Sequence, residues 1–535
     1  MSRQQVVVVG YGMAGARLAE EIRRRDPGAD RVQLTVLGAE PHTAYNRVLL
    51  SAMVAGSMDR EAVELHGPDW GYRHRVNLRL ASTVTRIDRR RRLVELDSGP
   101  DTPYDALVLA TGSRPWIPPI PGLVDDVDGQ LADGVLHFFT LDDCERIIRA
   151  AAGGMSVAVL GGGLLGLELA AGLAGRGNPV TVVHPVGHLM ERQLDSDAGR
   201  MLARVLAGSG VRFRLGRTAA GYRPGQGLEL DNGSRVDAEL VVVCAGARAE
   251  TRLARDAGLD VRVGVVVDDG LRTTDPDVYA IGDCAEHRGV VAGLVQPAWE
   301  QARVLADLLT GADRTASYRA TAPVTKLKAR GVELTAMGRV QDDPGCDLAD
   351  LVEPTDPDGL VDLRDPVDLR DPVAPRNPVA PVGFAIEAVL GGAAPAAPEV
   401  LSLQDPARGR YAKVVLHADR VVGAIMLGLP DAAANVTHLF DRGLPAPADR
   451  LALLLGRALP PAQAAPGPAD LPADAVLCLC NTVTKGHLLS AHQAGARTFG
   501  ELVETTRATR GCGSCRGAVQ SLAGWLAGGD AATAV

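Results

Sequence analysis

Val6-Val-Val-Val9-Gly10-Tyr-Gly12-Met-Ala-Gly15 lies at the start of the chain and is followed by the helical run Ala16 to Arg25. Four consecutive valines are the pattern of a parallel strand buried on both faces. The glycines that follow make a tight turn into a helix. Gly10 permits the turn, Gly12 lets a ligand approach the backbone, and Gly15 lets helix and strand pack closely. Free N–H groups at the helix start suit phosphates. A second strand, Val32 to Leu37, ends near Glu40, whose carboxylate can accept from both ribose hydroxyls. Strand, turn, helix, strand and acidic end together point to dinucleotide binding.

The same pattern returns later. Val157-Ala-Val-Leu160 precedes Gly161-Gly-Gly163-Leu-Leu-Gly166-Leu-Glu168, then a helix to Gly175 and a strand Val180 to Val183. That strand ends in His184, where a carboxylate would favour a free 2′-hydroxyl and a nearby Arg a 2′-phosphate. Neither is obvious in the adjoining sequence, and Arg192 is remote. His184 also reads simply as a polar strand end.

Two further strands end in small tight turns: Tyr104 to Ser113, closing with Thr111-Gly112-Ser113, and Thr274 to Asp283, closing with Gly282-Asp283. These endings resemble the glutathione-reductase-like flavoprotein reductases. The resemblance implies that the first fold holds FAD, with Thr111 and Gly112 at the exit from that domain and Asp283 on the ribityl chain. It implies that the second fold holds NADH, with NADPH an alternative, and that Glu168 positions the nicotinamide. Because the Asp283 strand arrives after the second fold, an NAD(P) domain is nested inside an FAD domain. The proline-rich segment Thr111 to Gly122 has the extended character of a crossing.

Reductases of this architecture that act on disulfides carry a close cysteine pair beside the flavin. Here Cys144, Cys244, Cys284 and Cys346 are scattered, and no close pair precedes Cys478. The remaining four follow Cys478-x-Cys480-x31-Cys512-x2-Cys515. Four thiolates in two tight pairs can enclose a tetrahedral zinc or a [2Fe–2S] cluster, and Cys-x-Cys fits zinc less well. Val483 to Gln493 and Phe499 to Thr506 read as helices, the first capped by Thr482 or Thr484. This small helical region is similar to the bacterioferritin-associated-ferredoxin-like domain, which implies [2Fe–2S] and Cys478, Cys480, Cys512 and Cys515 as its ligands.

The expected architecture is therefore α/β. Two nested Rossmann-like domains, FAD 1–120 with 249–318 and NAD(P) 121–248, precede an α+β interface-like domain at 319–450. A proline-rich insertion, about 347–400, interrupts that domain. A linker at 451–474 leads to the [2Fe–2S] domain at 475–530. Repeated proline in the insertion opposes helix and central strand. The Pro/Ala linker can either tether a moving domain or only connect it.

The whole resembles the flavoprotein portion of assimilatory nitrite reductase large subunits and the electron-transfer subunit of bacterial assimilatory nitrate reductase. The segments that carry this are Pro41 to Ser51, His184 to Asp195, Thr325 to Gly338, Asp405 to Gly409 and Val421 to Ile425. The resemblance places Arg47 near the FAD, against its plainer reading as a solvent Arg at a helix start. Nitrite reductase large subunits continue into a sirohaem module with a further cluster, for which no cysteine set remains. The resemblance thus implies a partner, a molybdenum-containing nitrate reductase subunit that receives the electrons; electron input to a nitrite reductase system, a ferredoxin or rubredoxin reductase, and a redox-sensing flavoprotein stand as alternatives.

A net charge of −9 without a basic, aromatic-laced surface argues against nucleic acid. Arg89 to Arg92, the densest basic run, reads as a solvated hairpin turn. No apolar stretch reaches the ~20 residues of a membrane span, and the first residues enter a strand without a signal-peptide pattern. The expectation is a cytoplasmic protein. Nothing in the sequence sets its oligomeric state.

Overall fold

The computed structural model describes residues 3–125, 129–322, 324–329, 331–338, 340, 398–456, 471–478, 483–511 and 515–533. The proline-rich repeat at 347–397, the tether at 457–470, and Cys346, Cys480 and Cys512 lie outside these residues.

The quoted valines occupy the centre of a five-stranded parallel sheet. Its order is Val278–Ala280, Ala106–Leu109, Gln4–Val9, Val32–Leu37, Val76–Arg79. Val6 and Val8 are fully buried between helix Met13–Arg25 on one side and further apolar packing on the other, which is why the run contains no polar alternation. The strand Val278–Ala280 joins the sheet only after the second fold has been completed.

That second fold is another five-stranded parallel sheet, ordered Val211–Leu215, Val180–His184, Val157–Leu160, Leu240–Val243, Val135–His137. The glycine-turn strand is again central. The chain enters and leaves this fold by two segments that run antiparallel to each other, Ser113–Pro115 beside Ala247–Ala249.

Residues 324–427 contribute a five-stranded antiparallel sheet ordered Val324–Ala329, Val332–Gly338, Arg420–Leu427, Arg410–His417, Glu399–Asp405. Successive side chains of its central strands point to opposite faces, and both faces are covered. Ile425 and Leu427 face the second parallel fold through Leu167, Leu194 and Leu202, whereas Ala424 and Met426 pack with Val436 and Leu439 of helix Pro430–Arg442. The start of the expected linker is helical, Leu451–Leu455.

The C-terminal region is a short hairpin, Val476–Cys478 with Val483–Thr484, and three helices, Lys485–Gln493, Phe499–Thr506 and Arg516–Thr533. Val483, read from sequence as helical, pairs with the first strand. The helix begins one residue after Thr484, whose hydroxyl accepts the His487 N–H in a reciprocal cap. Thr498 and Glu501 cap the next helix in the same way. No helix among the described residues is long and apolar enough to cross a membrane.

Candidate functional site

At the first glycine turn, sterics leave no choice of residue. Gly10 has φ +110°, and a Cβ there would stand 2.1 Å from the Ala110 carbonyl oxygen. A Cβ on Gly15 would stand 2.0 Å from the Gly10 carbonyl oxygen. Gly12, which opens helix Met13–Arg25, differs: nothing lies within 4 Å of its missing Cβ. The first and third glycines serve the fold, and the second faces open space above a helix N-terminus. That is the form of a phosphate cradle.

Around this turn the structure gathers most of the residues assigned to FAD. Glu40, just past strand Val32–Leu37, accepts from Tyr45 Oη at 2.7 Å on one oxygen and is ion-paired with Arg47 on the other. The Arg47 guanidinium lies over the Tyr45 and Phe139 rings, 5.5 and 5.4 Å from their centroids. It is thus a wedged cation and not a solvent side chain. Asp283 is held beyond the strand Val278–Ala280 by Gly282, whose φ is +76° and whose N–H donates to Gln301 Oε1 at 2.7 Å. Burial pushes the Asp283 carboxyl up, opposed by a 3.1 Å hydrogen bond from Ser113 Oγ and by the charge of Arg47. Arg47 therefore pairs with one strand-end carboxylate, Glu40, and its charge also acts on the other, Asp283. Thr111 is turned elsewhere, donating to the Glu250 carbonyl at 2.8 Å, while Gly112 takes φ +71°. Tyr45, Ser113 and Gln301 had no role assigned from sequence, although Tyr45 lies in the segment Pro41 to Ser51 and Ser113 adjoins Gly112.

The second turn repeats the first. Gly161 has φ +122° and its Cβ would meet the Cys244 carbonyl oxygen at 2.2 Å; that of Gly166 would meet the Gly161 carbonyl oxygen at 2.2 Å; Gly163 faces open space. At the strand end a carboxylate is present after all. His184 Nδ1 accepts the Gly162 N–H at 3.1 Å, and Nε2 bonds Glu191 at 3.0 Å. The chain returns because Met190 adopts φ +53° and donates its N–H to the Gly162 carbonyl at 3.1 Å. Burial would raise the Glu191 carboxyl, but the His184 bond and charge outweigh it and hold it below the usual range. The sequence reading missed Glu191 because it lies seven residues beyond the strand end.

Glu168 sits where three parts of the chain meet. Its Oε2 accepts from Ser51 Oγ at 2.6 Å and its Oε1 from the Lys328 N–H at 3.0 Å. Ser51 comes from the FAD half, Glu168 from helix Leu164–Gly175, and Lys328 from strand Val324–Ala329. Burial raises the carboxyl despite both donors.

Cys478 and Cys515, 37 residues apart in sequence, are buried in one apolar core. Cys480 and Cys512, outside the described residues, follow two residues after one and precede the other by three. Two cysteines in one core, each with a second cysteine two or three positions away in sequence, suit a four-thiolate cluster. Among the described residues, Cys144, Cys244 and Cys284 are free cysteines, and Cys284 Sγ donates to the Leu109 and Ile281 carbonyls inside the first sheet.

Comparison with known proteins agrees with this division. Residues 4–302 match the pyridine nucleotide-disulphide oxidoreductase family and residues 476–524 the BFD-like [2Fe-2S] binding domain. The chain is 33% identical over 99% of its length to a nitrite reductase [NAD(P)H] of Bacillus subtilis, covering 58% of that protein. It is 31% identical over 98% of its length to the assimilatory nitrate reductase electron transfer subunit of the same organism, covering 60% of it. It is also 34% identical over 60% of its length to a rubredoxin-NAD(+) reductase of Alcanivorax borkumensis, covering 82% of that protein. Among solved structures, putidaredoxin reductase in covalent complex with putidaredoxin superposes with TM-score 0.67 at 25% identity, over 85% of this chain and 96% of that one. The chain thus spans about three-fifths of each of the first two relatives. It belongs to the pyridine nucleotide-disulphide oxidoreductase family of NAD(P)H-dependent FAD oxidoreductases, and it carries a separate [2Fe–2S]-binding domain.

Proposed function

We propose that this chain takes electrons in pairs from NADH and hands them on singly to a separate redox protein. The observation that carries this reading is the presence, on one chain, of two glycine turns open above Gly12 and Gly163 and a cluster-binding core closed against the first of the two folds. Bound flavin supplies the conversion of two-electron to one-electron transfer.

In this reading Gly10, Gly12 and Gly15 cradle the FAD pyrophosphate. Glu40 accepts from its ribose, Arg47 and Asp283 flank its polyol and phosphates, and Thr111 and Gly112 shape the exit of their strand. Gly161, Gly163 and Gly166 receive the nicotinamide dinucleotide, and Glu168 orients its nicotinamide. Cys478, Cys480, Cys512 and Cys515 ligate the [2Fe–2S] cluster. Glu191 supports NADH over NADPH, since a carboxylate at that strand end attracts ribose hydroxyls and repels a 2′-phosphate. The chain works in the cytoplasm, beside the reduced nucleotide pool.

The specific acceptor we propose is a molybdenum-containing catalytic subunit of an assimilatory nitrate reductase, supported by likeness to the electron-transfer subunit of such an enzyme. A second reading has broader support: electron input to nitrite reduction, or delivery to a small carrier of the ferredoxin or rubredoxin type. Nitrite reductases and a rubredoxin reductase both favour it. The test is anaerobic titration of the purified chain with NADH. Flavin bands and [2Fe–2S] features should both bleach. A chain without iron, or a cluster that stays oxidised while flavin bleaches, defeats the proposal. Stopped-flow mixing of the reduced chain with nitrate reductase catalytic subunit, rubredoxin or ferredoxin then separates the acceptors.

A further inference from the structure

The C-terminal domain is seated on the FAD domain by its core. Trp299, on helix Val295–Thr310, is 3% exposed and shares an apolar cluster with Cys478, Leu502, Cys515 and Val519. Its indole N–H donates at 3.1 Å to the carbonyl of Met13, immediately after the first glycine turn.

Two polar contacts hold the loop that leads into Cys512. The buried Asn46 amide donates to the Arg510 and Gly511 carbonyls at 2.5 and 2.6 Å. Its Oδ1 accepts the Val48 N–H at 3.0 Å, capping the short turn Arg47–Leu49. Arg507 reaches across to Glu20 at 2.5 Å and to the Leu65 carbonyl at 3.1 Å. The loop backbone is bent to make these contacts. Arg507 and Thr509 have φ +62° and +68°, a region that side-chain-bearing residues occupy only when surroundings hold them there.

Behind Glu20 lies a buried relay. Burial lowers the His66 imidazole, outweighing Glu20. Its Nε2 bonds Glu20 at 2.6 Å and its Nδ1 bonds Tyr11 Oη. The ring stacks on Trp70 with centroids 3.8 Å apart. Burial pushes Glu20 up, but His66 and the Arg507 charge outweigh it and hold the carboxyl at about 2. Arg507 therefore docks on an ionised, oriented carboxylate, the kind of partner that makes charge-assisted bonds strong and directional.

We infer that Arg507 and Asn46 form a latch that fixes the loop into Cys512 against the FAD domain, so that the cluster works from a seat and not at the end of a swinging tether. This rests on the electron-transfer reading above. Both are positioning residues. Asn46 touches the loop with its amide and the Arg47 turn with its carbonyl, so the seat and the flavin site share a residue.

The test uses the full chain carrying flavin and iron, with Arg507→Ala, Arg507→Lys, Glu20→Gln and the double variant Glu20→Gln/Arg507→Ala. NADH should bleach the flavin within about twofold of the unsubstituted rate in every variant, because none of these residues lies in either nucleotide site. Cluster reduction, followed by its own visible and EPR signals, should slow at least about tenfold in Arg507→Ala and less in Arg507→Lys, and the double variant should fall no further than the worse single one. Amide hydrogens of residues 499–511 should exchange about tenfold faster in Arg507→Ala, by local opening of the seat. Cluster reduction at the unsubstituted rate, additive effects in the double variant, or unchanged exchange each overturns the latch. Exchange reads the protein whatever its metal content, so it still decides for a variant that loses iron. An unsubstituted chain that fails to reduce its cluster defeats the proposed function, while exchange continues to test the latch.

Discussion

The two nucleotide folds have nearly the same backbone and different strand ends. Gly10 and Gly161 have φ +110° and +122°, and the would-be Cβ of each is about as close to a carbonyl oxygen, at 2.1 and 2.2 Å. In the first fold the acidic end is Glu40, bound by Tyr45 and Arg47 from the next few residues. In the second it is His184, which borrows Glu191 from a returning turn. Sterics dictate the turn, so the turn repeats. The ribose reader needs only a carboxylate at the right place, so the chain supplies it by different routes.

The comparison breaks most sharply at the turns. Gly10→Ala puts a methyl into a backbone carbonyl at a positive φ, a conformation that alone costs about 1–3 kcal/mol. The purified protein should contain little or no flavin. Gly161→Ala should retain flavin but lose NADH-driven bleaching by on the order of a hundredfold or more. Flavin absorbance per chain and stopped-flow bleaching check the pair. Stoichiometric flavin in Gly10→Ala would show that this turn is not the cradle.

At the strand ends the expected effects are smaller. A hydrogen bond to a charged group contributes about 1.5–3 kcal/mol, so Glu40→Ala should weaken FAD binding roughly ten- to a hundredfold. Glu191→Gln should leave FAD in place and lower the NADH-to-NADPH ratio of kcat/KM by about tenfold. Equilibrium binding of NAD+ and NADP+ gives a second reading. If the ratio does not move, Glu191 is only a prop for His184.

The smallest effect is expected where the two folds meet. Burial lifts Glu168, so its folded pKa lies above its unfolded one. The stability this contributes is present below the unfolded carboxylate range and is lost as pH rises through the folded value. Ser51→Ala removes a donor that favours the ionised form. It should push the carboxyl further up, move the acidic limb of the flavin-reduction profile to higher pH, and slow reduction at neutral pH by about two- to fivefold. A profile with an unmoved acidic limb would remove Glu168 from the hydride-transfer step.

Legibility followed chain distance. Both glycine turns and their central strands could be read because each depends on residues within about thirty positions, and the nested order because a second strand ending in Gly282-Asp283 follows the second turn. The helix Phe499–Thr506 was readable from its apolar spacing, and its Thr498 cap emerges only in the structure. What escaped was contributed from far away or by an unusual turn. Glu191 is brought back by a left-handed Met190. Ser51 and Lys328 meet Glu168 from 117 and 160 residues away. Asn46 meets Arg510 across 464 residues, and nothing local to either residue signals the contact. Spacing rules describe a turn and its ligand, but a domain seat is a property of two surfaces.

The nested order has a consequence for the making of the protein. The sheet that Gln4–Val9 centres receives its edge strand, Val278–Ala280, only after the whole second fold has been translated. At ordinary ribosomal speeds, the interval between Leu109 and Val278 is roughly ten to thirty seconds. During that time the edge of Ala106–Leu109 that later pairs with Val278–Ala280 is open, while the second fold can close alone. A nascent chain should therefore complete its second, inner fold before its first fold is finished, and a chaperone would find its longest-lived target at that edge.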